Sequence, residues 1–405
     1  MIGNIKIYGN SDILFYFFKL IVVFNVVVYC SYAYSYFYVV GAVGIKPLYW
    51  YFFTIVCAAW VVFWSRFLIV CNLPQKFILW VGVYLFYSIV SFLYSSQSTF
   101  VVDKLIDGLE SVVLLLSFLV LLKQKKGADI ASLTLIAVIG FAVPMNMIDF
   151  FSPAWSTVPG RAAGLYMNSN TSGSILVMSM VMSVFFVPHK FRLLYCLSIG
   201  LAVLVTFSRS SWLLWGIAVS GLSVFGYIVP QKKKITMIFA LLMAVILLFS
   251  LLSGVALELL SNTGIAQYLT PNTIARLGGG SEAFSDSSAV SRSDAAMFAW
   301  ELFQDRPWFG FGLGSARELT LVSPHNMYLL MAAEGGLFGV AVYLTLLVIL
   351  WQLSDDLGKI MVAIISVASL FSHNLLEQPV FLFFISLIVS THRKHKKEST
   401  LNNDM

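Results

Sequence analysis

One histidine and three arginines stand out in this 405-residue chain: His325, Arg209 and Arg161 sit at the edges of long apolar runs, and Arg292 at the start of a helix expected in a long polar loop. His325, in SPHNMYLLMAAEGGLFG, lies between Pro324 and Asn326 where such a run begins. A neutral imidazole there is suited to taking a proton from a hydroxyl. The alternative is a helix-start residue that hydrogen-bonds its own loop. Arg209, in VTFSRSSWLLW, sits where two runs meet with almost no loop between them. A guanidinium this close to apolar surroundings should line a polar cavity or meet an anion. Arg161, in VPGRAAGLYMNSNTSG, opens another run in the same way. Asn168 and Asn170 follow it and can hydrogen-bond a sugar or cap a broken helix end. Arg292 begins a helix expected over 292–305, from which its side chain can point down toward the mouth of a helix bundle.

The elements that must position these groups follow from composition. The chain is 59% apolar and only 11% charged, with a mean hydropathy of +0.88. A soluble domain is about a quarter charged, so a soluble enzyme, a secreted disulfide scaffold and a disordered protein are poor readings. The apolar runs are continuous rather than alternating, which argues against a membrane β-barrel. A bilayer-spanning helix needs about 20 mainly apolar residues. Polar punctuation places such spans near 18–39, 48–65, 77–95, 105–122, 130–150, 170–187, 192–207, 211–229, 235–256, 326–351, 357–373 and 376–391. The expected fold is therefore an all-α polytopic membrane protein with about twelve transmembrane helices. Nine spans occupy 1–256 and three occupy 325–392. A long outer loop fills 257–324, and a basic tail 393–405 ends the chain on the inner side. Cys30, Cys57, Cys71 and Cys196 are too widely spaced for a metal signature or a disulfide framework.

Charge sets the orientation. With both termini inside, 17 of the 25 basic residues fall on inner segments and 8 on outer ones, as the positive-inside rule requires. The net charge of +6 then reflects inner Lys and Arg and gives no reason to expect nucleic acid. The two faces differ in cation type, with Lys over Arg by 14 to 3 inside and Arg over Lys by 6 to 2 outside. The positive-inside rule treats the two alike and does not predict this split. Arg presents a planar fork that grips phosphate or carboxylate, whereas Lys is a point charge. The outer face therefore suits an anionic ligand, unless each Arg pairs with an outer acid such as Asp149, Glu282, Asp294 or Asp305.

The outer loop should carry structure, because loops of that length usually contain helices or do work. Ser291 and Asp294 have a capping-box spacing, and Met297, Phe298, Leu302 and Phe303 form one apolar stripe. The glycine-rich GFGLGSA beyond Pro307 follows no strand and is a poor dinucleotide loop. No Walker motif, zinc-protease motif or EF-hand appears. His373 and Glu377, in HNLLE, are four apart and are expected to share a helical face, either as a buried pair or to orient a ligand. Asp103, Asp107 and Glu110 share a face and are expected to hold an Arg rather than a divalent cation. Glu334 sits within a span, where an ionisable group is functional by default; Gly335 and Gly336 beside it suggest close helix packing. Arg276, Arg306 and Arg317 are solvated loop charges or contacts for anionic sugars and headgroups.

Taken together, GRAAGLYMNSN, TFSRSSWLL, SRSDAAMFAW and PHNMYLLMAAEGGLFG, in that order, resemble the O-antigen ligase and polymerase superfamily of bacterial inner-membrane glycosyltransferases. The resemblance covers roughly residues 155–345; the first four spans match in layout only. It implies a reaction at the periplasmic face, with 257–324 as the periplasmic loop. The donor would be a glycan on undecaprenyl diphosphate. The acceptor would be a sugar hydroxyl, of lipid A–core in a ligase or of a second lipid-linked glycan in a polymerase. It implies neither a cofactor nor a metal. On this reading His325 is the general base, Arg209 and Arg292 meet the diphosphate, and Arg161 supports them. Asn168, Asn170, Arg276, Asn326, Glu334 and His373 are the candidate substrate contacts. Ligase leads and polymerase is the alternative. A flippase of lipid-linked sugar would need an Arg-lined path through the membrane centre, whereas these arginines cluster on one face.

Overall fold

A computed structural model of the chain describes residues 10–65, 68–96, 98–124, 126–158, 160–228, 287–320 and 323–391. Among these residues every regular element is helical. Their order is α1 (Asn10–Cys30), α2 (Ala33–Val39), α3 (Pro47–Trp64), α4 (Leu68–Cys71), α5 (Gln75–Leu93), α6 (Thr99–Lys123), α7 (Gly127–Phe151), α8 (Ser169–Ser183), α9 (Arg192–Leu204), α10 (Arg209–Val224), α11 (Ser287–Asp305), α12 (Ser315–Thr320), α13 (Met327–Leu353), α14 (Asp356–Ala368) and α15 (Pro379–Thr391). The ninth expected span, 235–256, and the loop before residue 287, with Arg276, lie outside the described residues.

Six of these helices are long and apolar enough to cross a membrane: α3, α5, α6, α7, α13, and α8 carried on to Phe186. The bent pair α1–α2, turned by 62° at Tyr32, makes a seventh. Among the described residues, helices of full spanning length are therefore fewer than the about twelve expected spans. Short helices stand where the seventh, eighth, eleventh and twelfth were expected. At a rise of about 1.5 Å per residue a 13-residue helix such as α14 covers about 20 Å, against a hydrocarbon core of about 30 Å. The length missing after α14 is taken by the irregular connection 369–378.

The centre of the bundle is α8, SNTSGSILVMSMVMS, buried along nearly its whole length. It packs against α7, α9, α10 and α14. Small residues permit this approach: a Cβ at Gly173 would collide with the side chain of Ser211 on α10. A second packed layer joins α6 to α3 and α15, where Phe118 meets Phe383 edge to face. Lys19 pairs with Asp129 at 3.7 Å and Lys76 donates to Gln352 at 3.0 Å at one end of the bundle. Lys104 pairs with Glu377 at 2.8 Å at the other.

The helix expected over 292–305 begins earlier, at Ser287, so the Ser291–Asp294 spacing falls inside it and does not cap it. Of its expected stripe, Leu302 is buried, whereas Met297 stays 60% exposed. The loop after it, 306–314, meets α13 where Gly336 takes φ 58° and ψ −151° and breaks the helix. An unbroken helix would bond Leu337 N–H to Ala333 C=O and Phe338 N–H to Glu334 C=O. The loop takes all four groups instead. Pro307 C=O accepts Leu337 N–H at 2.7 Å, and Trp308 C=O accepts Phe338 N–H at 3.3 Å. Phe311 N–H donates to Ala333 C=O at 3.0 Å, and Gly312 N–H to Glu334 C=O at 2.9 Å. A broken helix in a membrane protein is tolerated where protein re-satisfies its backbone in this way. The glycines of GFGLG serve that approach: a Cβ on Gly310 would stand 2.5 Å from the Glu334 carbonyl carbon.

Candidate active site

Loop 152–168 is organised by one carboxylate. Asp149, buried at the end of α7, accepts four backbone N–H groups: Ala154 at 3.0 Å, Trp155 at 3.1 Å, Ala163 at 2.7 Å and Gly164 at 3.0 Å. That fixes the backbone presenting Arg161. The Arg161 guanidinium is buried, and donates from Nε to Thr206 C=O at 3.1 Å and from Nη2 to Asn170 Oδ1 at 2.9 Å. Arg161 thus ties the end of α9 to the first turn of α8. Asn168 caps α8, its Oδ1 accepting from Asn170 N–H at 2.9 Å and Thr171 N–H at 3.3 Å.

Two further helix starts come to the same place. Ser208 caps α10, with Arg209 in its first turn, half-buried. Asn326 caps α13, its Oδ1 accepting from Tyr328 N–H at 2.9 Å and Leu329 N–H at 3.1 Å. His325 precedes that cap with φ 48°, a left-handed conformation in which a non-glycine residue is held only by its surroundings. Met327 N–H, bonded to Ser369 C=O at 2.8 Å, anchors this start to the end of α14.

A cavity of about 120 Å³ opens among these ends. The first turns of α8 and α10 line it with Asn168, Asn170, Thr171, Ser174 and Ser210. Arg292 of α11, His325, and residues 371–375 with Gln378 complete it. Helix N-termini carry partial positive charge, so the starts of α8 and α10 with Arg292 make a site suited to an anion. The rings of His325 and His373 meet edge to face, centroids 5.0 Å apart. Burial, and then the nearby Arg292, hold the His325 pKa below its usual value. Burial, reinforced by His325, Lys104 and Arg317, pushes His373 down to about 4. Both shifts favour the neutral imidazole, which can accept a proton.

The structure thus brings together Arg292, His325, His373, Asn168 and Asn170. Arg209, Arg161 and Asn326 stand behind the lining rather than in it, Arg209 next to Ser210 and Arg161 bonded to Asn170. Glu334 is elsewhere. It is buried under the loop in the break of α13, where its carboxylate accepts N–H groups of Gly314 and Ala316. The expectation of a shared helical face for His373 and Glu377 needs correction, since 369–378 is not helical and Glu377 pairs with Lys104. Asp107 likewise flanks Lys104, at 3.6 Å, where an Arg was expected. Arg306 stacks over Phe311 at 4.4 Å and Arg317 over Phe100 at 5.2 Å. No three His, Cys, Asp or Glu side chains gather as metal ligands among the described residues.

Sequence reasoning missed Thr171, Ser174, Ser210, Ser372 and Gln378. The signal for the last two was the polar run SHNLLEQ between two apolar stretches. No curated protein matches the chain. The family model described as O-Antigen ligase matches residues 193–344, from α9 into α13, and this stretch contains Arg209, Arg292 and His325. Over these residues the chain is similar to the O-antigen ligase superfamily, which the match supports.

Proposed function

We propose that the chain moves a glycan from an undecaprenyl-diphosphate carrier to a sugar hydroxyl at the periplasmic face of the bacterial inner membrane, with both termini cytoplasmic and twelve spans in all. The family supports an O-antigen ligase or polymerase type of function and a glycosyltransferase-like enzyme. The observation that carries the finer reading is the cavity lined by His325, Arg292 and the first turns of α8 and α10, with the His325 pKa held below its usual value.

His325 takes the proton of the acceptor hydroxyl as its oxygen attacks the anomeric carbon. The bond from that carbon to the diphosphate oxygen breaks, and the electron pair leaves with undecaprenyl diphosphate. Direct attack inverts the anomeric centre. Negative charge grows on the leaving diphosphate, and Arg292 and Arg209 stabilise it, more strongly in a partly dry site than in water. Arg161 holds the Asn170 side chain and the Thr206 carbonyl. Arg292 also couples the two halves of the reaction. Without donor its charge lowers the proton affinity of His325. A bound diphosphate neutralises that charge, so the base is strongest when the donor is in place.

Ligase, with lipid A–core as acceptor, is the leading assignment. The test is transfer by the purified protein in nanodiscs from a lipid-diphosphate glycan, with and without lipid A–core. One glycan joined to lipid A–core, lost in His325→Ala although that variant still inserts, is the expected result. Ladders of lipid-linked glycan without that acceptor make the enzyme a polymerase instead. Full activity in His325→Ala removes the base assignment, and movement of lipid-linked sugar across a sealed bilayer with no product overturns the enzyme reading.

A further inference from the structure

The transfer chemistry uses one side of the cavity and leaves its opposite wall without a role. That wall is the 369–378 connection, with Ser372, His373, Asn374 and Gln378 on the lining. Asn374 shapes it: its Oδ1 accepts from the Ser372 hydroxyl at 3.0 Å and from Gln378 Nε2 at 2.8 Å. Glu377 is drawn away to Lys104, which removes the one carboxylate of the segment from the wall. Two polar atoms are left over. His373 Nδ1 and Gln378 Oε1 are both out of contact with water and have no hydrogen-bond partner. Buried polar atoms are nearly always paired, and an unpaired one is a standing cost of the fold. Two on one wall of one cavity are accounted for if a ligand supplies the missing partners.

The chemistry of the two atoms selects the ligand. An amide oxygen only accepts a hydrogen bond, and the free nitrogen of a neutral imidazole can accept one. Their natural partners are hydroxyl donors. An anion is disfavoured there, since Gln378 Oε1 would face its oxygens. The lining thus includes a cation, Arg292, and at 372–378 only uncharged side chains that read hydroxyls, with the rings of His325 and His373 in contact. The hydroxyl-reading side also lies outside the stretch 193–344 that matches the family, whereas Arg209, Arg292 and His325 lie inside it.

We propose that the 372–378 wall is the acceptor-sugar subsite, in which His373 Nδ1 and Gln378 Oε1 accept hydrogen bonds from two hydroxyls of the acceptor sugar and so bring a third to His325. This rests on the glycosyl-transfer reading above. The test uses the full-length protein in nanodiscs with a lipid-diphosphate glycan as donor and whichever of lipid A–core or lipid-linked glycan the wild type accepts. Acceptor concentration is varied at saturating donor. His373→Leu and Gln378→Met should each raise the acceptor KM about 3- to 10-fold, the worth of one neutral hydrogen bond. The donor KM and the binding of undecaprenyl diphosphate should stay at wild-type values. If His373→Leu does not fold, Gln378→Met, which removes only the amide, decides alone. An unchanged acceptor KM in a wild-type-like enzyme, or a fall in kcat with both KM values unmoved, overturns the subsite while leaving the transfer reading intact. Absence of transfer by the wild type to either acceptor overturns both.

Discussion

Replacing Gly336 by Ala should expel the 306–314 loop from the break in α13. At φ 58° and ψ −151° the backbone is in a region essentially reserved for glycine, and a side chain there costs about 1–3 kcal/mol. The added Cβ would also stand 2.6 Å from both Phe309 N and Pro307 O, closer than any ordinary contact. Alanine can relieve both by closing the helix, which recovers the Leu337 and Phe338 hydrogen bonds internally. Four bonds then become two, at about 0.5–1.5 kcal/mol for each bond lost. The two bonds lost oppose undocking by about 1–3 kcal/mol and roughly offset the dihedral strain, so the Cβ contacts with Phe309 and Pro307 tip the balance toward the undocked loop. Hydrogen–deuterium exchange in nanodiscs reads this directly, because the Phe311 and Gly312 amides bond into the break. They should lose protection, with peptides from α6 unchanged. Gly140→Ala is the control, since Gly140 lies on an exposed face of α7 with nothing within 4 Å of an added Cβ. Unaltered protection of 307–314 in Gly336→Ala would refute the argument. Arg292 stands on the helix that leads into this loop, so transfer should weaken in the same variant.

Other expectations concern the site itself. Asp149→Asn turns an amide N–H₂ toward two of the four N–H donors and should cost about 3 kcal/mol or more; thermal melting and proteolysis within 152–168 check it, and wild-type behaviour would count against the hub. Arg209→Lys should be strongly impaired in transfer, because an ammonium cannot reproduce the fork; activity above half of wild type would remove Arg209 from the diphosphate. In pH profiles of acceptor turnover, the acid-side midpoint should lie below 6.5, because burial and Arg292 both disfavour the imidazolium of His325. It should rise when donor saturates the enzyme, and a midpoint indifferent to donor would break the proposed coupling. Stability should also depend on pH. His373 binds its proton near pH 4 when folded and near 6.5 when unfolded, so its contribution is fully present above 6.5 and is lost as pH falls toward 4. The drop in melting temperature between pH 7.5 and pH 5 should therefore be smaller in His373→Leu.

The class of this protein was legible in its sequence because membrane solubility is a matter of composition. Long apolar runs admit helices and little else, and their positions are set by polar punctuation that needs no tertiary contact. The site was partly legible for a related reason. Arg161, Arg209 and His325 are costly at the edges of apolar runs, so their presence there signals a use. The sequence alone did not decide which of them would meet. Arg292 and His325 share a lining, whereas Arg161 and Arg209 stand behind it, and that partition depends on how α8, α10, α11 and α13 converge. That Glu334 and the glycines of GFGLG would meet was not legible, because the break at Gly336 needs donors and acceptors that a loop remote in sequence brings. The shortness of α14 was equally hidden: local apolarity continues through Leu370 and Phe371, but helix length there is set by the cavity that residues 369–378 must line. Local pattern fixes what a segment can be; which polar atoms end up facing one another is decided by packing at a distance.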